Sequence, residues 1–356
     1  MNNPEQLLRP DGFSGAYADM PDSMNPETIA NLTSALTAVA HQDHRTGPVV
    51  IGRGPEEHHQ ELERGAVAGA LHAGAEVVRL GERSQPDTLY TAQTLGALAT
   101  VSITTDGQPQ DVLYTARIGA ETPDKEQLKR VAASYRTLRQ DSSSIPMDAV
   151  DAVQRHRGDA RTYSDALVEY LTDRYGEKPL DGTRLVLSGQ GHGGKPARGP
   201  GKAMYCPNQD AGNGPSETMS ATLRVLRGLG AQVAEHYLKS APRAKDGLPS
   251  LRAHLEGPDS ERLRQYTGAF VINDNGTEVL AASTAGRYSL DGDSLRKAIE
   301  RRQQLHENYP EPAAWPERPD GTLAAAIIAI RAAETNTTFG NMGQLVTNTS
   351  ITERTA

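Results

Sequence analysis

Short apolar runs that end in glycine alternate along this chain with stretches whose apolar residues fall three and four apart. Val49-Val-Ile-Gly52 is the first such run. In the stretch after it, Leu62, Ala66, Val67, Ala70 and Leu71 line one face of an amphipathic helix. The segment closes with His72-Ala-Gly-Ala-Glu-Val-Val-Arg-Leu80, a glycine stop and then a second strand. Arg184-Leu-Val-Leu187 opens a similar unit, whose helix carries Met219, Leu223 and Leu226 and which closes with Gly228-Leu-Gly-Ala-Gln-Val-Ala-Glu-His-Tyr237. A third begins at Ala269-Phe-Val-Ile272 and is expected to run through Leu290-Asp-Gly-Asp-Ser-Leu295 into another helix. Strand, helix and strand in succession predict βαβ units and an α/β fold built from successive similar domains.

Between these units, Ser164-Asp-Ala-Leu-Val-Glu-Tyr-Leu171 reads as a helix leading into the second domain, and Leu323 to Ala333 as an apolar helix. Gly189 to Gly214 is rich in glycine and proline and reads as a long loop inserted after the second domain's first strand. It is not a phosphate-binding P-loop: Lys202 is followed by Ala203, and Pro196 stands where a glycine is needed. His306 to Pro319 is a second proline-rich stretch.

Composition narrows the class. A length of 356 residues suits two or three α/β domains. The formal charge of -8 argues against a nucleic-acid or membrane-surface partner, both of which need basic patches. The single cysteine, Cys206, excludes an intramolecular disulfide and fits a reducing cytoplasm. No apolar run approaches the roughly 20 residues that cross a bilayer, and the N-terminus lacks a signal-peptide pattern. A soluble cytoplasmic protein is expected.

Candidate chemistry is sparse. His58-His59 precede Glu61 and Glu63, but the spacing is not that of a zinc helix, and a solvated helix start is expected. Cys206 has no neighbour at zinc-ligand spacing, and no nucleophile elbow occurs. Asp106-Gly107 and Asn273-Asp-Asn-Gly276 both have the composition of tight turns. Thr104 and Thr105 read as strand-end threonines that hydrogen-bond the first of these loops.

Those two loops carry a resemblance. Leu98-Ala-Thr-Val-Ser-Ile-Thr-Thr-Asp-Gly-Gln-Pro109 is similar to the phosphoserine loop of the α-D-phosphohexomutases, which reads roughly T-A-S-H-N-P, and Gly268-Ala-Phe-Val-Ile-Asn-Asp-Asn-Gly-Thr-Glu278 to their magnesium loop, D-G-D-A-D-R. Gly12-Phe-Ser-Gly-Ala-Tyr-Ala18 resembles the family's F-G-T-S-G-I-R-G entry, with Tyr17 at the arginine position, and Val49-Val-Ile-Gly-Arg53 its V-V-V-G-R strand. The order and spacing of the pieces carry the match.

The resemblance implies three consecutive phosphohexomutase-like α/β domains, at 1–160, 161–262 and 263–356, the third shortened and the fourth absent. It puts Asp106 at the phosphoserine position and Asn273, Asn275 and Thr277 at the three metal aspartates. Ser14, Arg53, Thr104, Thr105 and Gln108 become the other cleft or ligand residues, and the set is expected to converge between the domains. A mutase donates phosphate from its phosphoserine while a metal neutralises the phosphoryl oxygens. Aspartate has no phosphate to donate, and neutral oxygens are weak magnesium ligands. The expectation is therefore a degenerate family member without a required cofactor, magnesium being retained only weakly. It would bind a phosphosugar or a partner protein without mutase turnover. Two alternatives stay open: an active phosphosugar mutase using Asp106 or Thr104/Thr105, and a structural partner of an intact mutase.

Overall fold

The computed structural model describes residues 7–10, 12–20, 23–138, 147–153, 162–191, 214–239, 243–257, 260–263, 265–282, 289–291, 320–337 and 339. The chain divides into two compact units, Met1–Arg161 and Thr162–Ala356.

In the first unit the elements run β1 (Leu8–Arg9), β2 (Gly12–Ala16), α1 (Pro26–Gln42), β3 (Val49–Arg53), α2 (Glu57–His72), β4 (Val77–Glu82), α3 (Gln85–Thr94), β5 (Ala99–Asp106), β6 (Gln108–Ile118), α4 (Lys125–Leu138) and α5 (Met147–Ala152). The sheet order is β1-β2-β6-β5-β3-β4. β3 lies parallel to β4 and β5, while β6 is antiparallel to β5 and β2. One sheet face packs Ile51, Val101, Ile103, Val112 and Tyr114 against Ile29, Leu32 and Leu36 of α1 and Leu62, Ala66 and Val67 of α2. The opposite face packs Val50 and Leu80 against Ala92 of α3. The expected βαβ unit, Val49 to Leu80, is thus present, and Gly74 at φ 76° supplies its left-handed helix stop.

Helices α1 and α2 pack closely because α2 carries glycine at the contact. A Cβ at Gly69 would stand 2.0 Å from the Ala30 carbonyl oxygen, and one at Gly65 2.4 Å from that of Pro26. Neither backbone can yield cheaply, so Gly69→Ala is expected to destabilise the unit by about 1–3 kcal/mol. Denaturant unfolding checks this, and an unchanged midpoint would refute it.

The second unit runs α6 (Tyr163–Tyr175), β7 (Arg184–Gln190), α7 (Glu217–Gly228), β8 (Gln232–Leu238), α8 (Ala244–Glu256), α9 (Ser260–Leu263), β9 (Gly268–Ile272), β10 (Val279–Ala282), β11 (Ser289–Asp291) and α10 (Gly321–Glu334). Its sheet order is β11-β10-β9-β7-β8. Val186, Ala269 and Val271 pack on Leu251 and Leu255 of α8. Helix α10 is buried over most of its length, as its Ala/Ile composition requires, and Thr322 on it hydrogen-bonds Thr222 of α7 at 2.8 Å.

One expectation changes here. The boundary at 262/263 is not a division of this unit, because β9 lies parallel to β7 and both belong to one sheet. Beyond the loop, β9 turns back into antiparallel β10 and β11, and Leu290 and Asp291 lie in β11. The reason is length: a parallel crossover needs a dozen or more residues, and only six separate β9 from β10. The helix expected after Leu295, the inserted loop at 192–213 with Cys206, and the stretch from His306 to Pro319 lie outside the described residues.

The two sheets share one plan. In each, a central strand is flanked by two parallel neighbours, and the later of these returns as a hairpin: β5 to β6 in the first unit, β9 to β10 in the second. The two loops singled out by sequence are therefore topological equivalents.

Candidate functional site

The first loop is a minimal turn. Asp106 ends β5, Gln108 begins β6 and the two pair across Gly107, whose φ of 85° is costly for any residue with a Cβ. A bulge between Thr105 and Asp106 lets the strand turn there. The Ser14 hydroxyl on β2 donates to the Asp106 carboxylate, tying the turn to the neighbouring strand. Gln108 is exposed and Asp106 half-buried.

Thr104 shares a lateral row with Leu113 and Ser14, so these side chains lie on one sheet face; Thr105 lies on the other. Both threonine hydroxyls are buried and have no hydrogen-bond partner among the described residues. The expected bonding of these threonines to the loop is not made, because the strand turns the hydroxyls into the two packed faces instead.

Arg53 does not join Ser14 and Asp106. It pairs in register with Ile103, one step along from Thr104, and so faces α2. There its Nε donates to Glu63 Oε2 at 3.3 Å, and Arg79 NH2 donates to the same oxygen at 3.0 Å. A further Arg53 bond of 2.8 Å goes to the Gly54 carbonyl. Glu63 is fully buried, and both arginines are 8% exposed. This ion triad closes the end of the sheet against α2.

The helix start is not solvated, contrary to expectation. His59 is fully buried beside Gly54, and neither of its ring nitrogens has a partner among the described residues. Burial, reinforced by His58 and Arg53, pushes the His59 imidazole down to about 3. The His58 ring lies 4.5 Å from that of His59 and 4.7 Å from that of Tyr17, whose hydroxyl donates to Glu61. The triad and His59 had a legible signal that the sequence reading missed: His59, Glu63, Ala66, Val67 and Ala70 fall on one helical stripe. A charge on an apolar stripe demands a buried partner.

In the second loop, in the other unit, Asn273, Asn275 and Thr277 bond one another and the backbone. Asn273 Oδ1 accepts from the Glu278 amide at 2.9 Å, and Asn273 Nδ2 donates to Thr277 Oγ1 at 3.3 Å. Asn275 Oδ1 accepts from both the amide and the hydroxyl of Thr277, at 3.0 and 2.6 Å. Gly276 sits at φ 76°. Asp274 is buried, and its carbonyl accepts from Thr218 on α7 at 2.8 Å. The turn composition read from Asn273-Asp-Asn-Gly is realised as this six-residue hairpin loop.

Magnesium favours carboxylate oxygens in near-octahedral geometry. Here the three positions offer two amides and one hydroxyl, whose oxygens are engaged within the loop. These residues do not fit the metal. Among the described residues no group of three or more His, Cys, Asp or Glu could hold a metal ion.

Two mixed sheets with helices on both faces, each returning through a hairpin that bears one of these loops, give the architecture to compare with known proteins. Residues 5–136 match the family model for phosphoglucomutase/phosphomannomutase, alpha/beta/alpha domain I. The chain is 28% identical over 290 residues to a phosphoglucosamine mutase of Streptomyces coelicolor, covering 76% of this chain and 60% of that protein. It is also 28% identical over 315 residues to one of Saccharopolyspora erythraea, covering 85% and 65%. It thus spans under two thirds of the length of these relatives. A phosphoglucomutase/phosphomannomutase family protein from Burkholderia thailandensis superimposes with a TM-score of 0.64 at 11% identity, over 97% of this chain and 80% of that one. These matches support the phosphohexomutase family, whose domain I model residues 5–136 fit. Among the described residues no helix is long and apolar enough to cross a membrane.

Proposed function

We propose that this protein is a phosphohexomutase-family pseudoenzyme that binds a phosphosugar without classical mutase turnover. The observation that carries the reading is the Asn273–Glu278 loop. At the three metal-aspartate positions it carries Asn273, Asn275 and Thr277, whose oxygens bond within the loop and include no carboxylate. Asp106 supports it, since a carboxylate held by Ser14 at the phosphoserine position can imitate negative charge but carries no phosphoryl group to transfer. The ligand class rests on the family, and the relatives' name adds glucosamine phosphate to glucose and mannose phosphates as candidates.

The test is a coupled mutase assay with all three hexose phosphates, magnesium and a sugar bisphosphate, run beside calorimetric titration of each ligand. Binding without turnover is expected, and Asp106→Ser alone should restore none, since none of the three metal-aspartate positions, 273, 275 and 277, carries a carboxylate. Turnover in the native chain that disappears in Asp106→Asn overturns the reading. Neither turnover nor binding moves the assignment to a partner of an intact mutase.

A further inference from the structure

The loop from Asn273 to Glu278 contains one of the chain's two Asn-Gly pairs, Asn275-Gly276; the other is Asn213-Gly214. An asparagine before glycine is chemically labile. Glycine has no Cβ to shield its backbone nitrogen, which can reach the side-chain amide carbon of the residue before it.

The loop adds to this lability. Asn275 Oδ1 accepts from the Thr277 amide at 3.0 Å and from the Thr277 hydroxyl at 2.6 Å. Two donors therefore already point at the oxygen on which negative charge develops when a nucleophile adds to Cγ, the arrangement of an oxyanion hole. The direction of the hydroxyl is set, because Thr277 Oγ1 itself accepts from Asn273 Nδ2 at 3.3 Å. The nucleophile is lightly held. The Gly276 amide lies 3.4 Å from the Asn273 carbonyl oxygen, longer than the ~3.2 Å at which such bonds usually end. Asn273 lacks this combination: Asp274, with a Cβ, follows it, and among the described residues its Oδ1 accepts from the Glu278 amide alone.

We propose that Asn275 is a deamidation site promoted by Thr277. The Gly276 nitrogen bonds to Asn275 Cγ and gives up its proton, the Cγ–Nδ2 bond breaks, and ammonia leaves behind a five-membered imide. Water then opens the ring to aspartate or isoaspartate, with nothing oxidised or reduced. Asn275 is 9% exposed, but Thr277 is half-buried and Glu278 exposed, so water reaches the rim of the loop. The aspartate product keeps both bonds from Thr277 and brings a carboxylate to one of the three positions that the resemblance gives to metal aspartates. The reaction uses only the loop's own atoms and water, and so stands apart from the pseudoenzyme reading.

The full chain is held folded in mildly alkaline buffer and sampled over weeks. Digestion and mass spectrometry follow the exchange of amide for acid at each asparagine, and Asn213 in the same molecules supplies the reference rate. Asn275 is expected to convert in the folded chain. Thr277→Val should slow that conversion about tenfold, the worth of one hydrogen bond to a developing charge. Thr277→Ser, which keeps the hydroxyl, should retain the native rate, and Asn213 should be unaffected in both. Melting curves confirm that the variants fold. If the Thr277 bonds act only by stiffening the loop, Thr277→Val will speed the reaction instead, and the proposal falls. It falls equally if Thr277→Val leaves the rate unchanged, or if Asn275 is intact once Asn213 has fully converted.

Discussion

Alanine in place of Glu63 is expected to destabilise the first unit by about 3–5 kcal/mol, the range for breaking a buried ion pair from one side. Glu63 is fully buried, and a single oxygen, Oε2, accepts from both Arg53 and Arg79. The triad already carries one excess positive charge. Removing the carboxylate leaves two guanidinium groups at 8% exposure with nothing to neutralise them. Glu63→Gln keeps the shape and one acceptor, and should cost less. Replacing all three residues by Met and Leu should recover much of the loss, because well-packed apolar side chains often match or exceed a buried ion network. Urea unfolding of the three variants gives the ordering. Glu63→Ala within about 1 kcal/mol of the native chain would mean that the arginines find water, and the buried-triad account would fall. The same series bears on ligand binding. Arg53→Met should lower stability while leaving phosphosugar affinity intact, since the arginine lies under α2, bonded to Glu63 and Gly54.

The elements of this chain were legible where local chemistry and burial agree. Val49-Val-Ile, the stripe from Leu62 to Ala70 and the glycine stop at Gly74 each obey one period, so strand, helix and strand follow. The hairpin at Asp106-Gly107 was legible for the same reason, since a positive φ leaves a glycine signature. What failed were statements about which elements share a sheet. Nothing local to Gly268–Ile272 says that its parallel neighbour is Arg184–Gln190, some eighty residues earlier, so a boundary was read into the middle of one sheet. The site was half legible. Asp106 was singled out by position, but its hold by Ser14 depends on β2 being the second strand along from β5, which is a matter of sheet order. Arg53 was assigned by motif to a ligand, although alternation along β3 puts it on the face of Val49 and Ile51, towards α2. Period-two arithmetic applied to the arginine itself would have corrected that.

Between pH 7 and about pH 5 the protein is expected to lose roughly 4 kcal/mol of stability, about 2 from each unit, through two buried histidines. In the first unit burial pushes His59 from 6.5 down to about 3. In the second, burial and the neighbouring His254 push His236 from 6.5 down to about 4. His236 Nδ1 bonds the buried Ser188 hydroxyl at 2.8 Å, and its ring stacks on His254 at 4.4 Å. Both imidazoles are held neutral in the fold. Below pH 6.5 the unfolded chain takes up a proton at each position while the folded chain does not, so stability falls with pH. The fall stops only as the pH passes the folded values, near 4 for His236 and near 3 for His59. The pKa of Asp43 is lowered below 3.8 by its bonds to Arg130 and Gln127, so that loss lies at more acid pH. His59→Met removes a buried imidazole beside Gly54 together with its proton site. It should flatten the acid limb of the first unit and raise its neutral stability, a gain that makes sense only if the native histidine is retained for something other than stability. Denaturant midpoints at pH 7 and about pH 5, followed separately by hydrogen exchange in each unit, decide the matter. Equal midpoints would mean that the buried rings accept protons in place, and His59→Met with the native slope would assign the acid loss elsewhere.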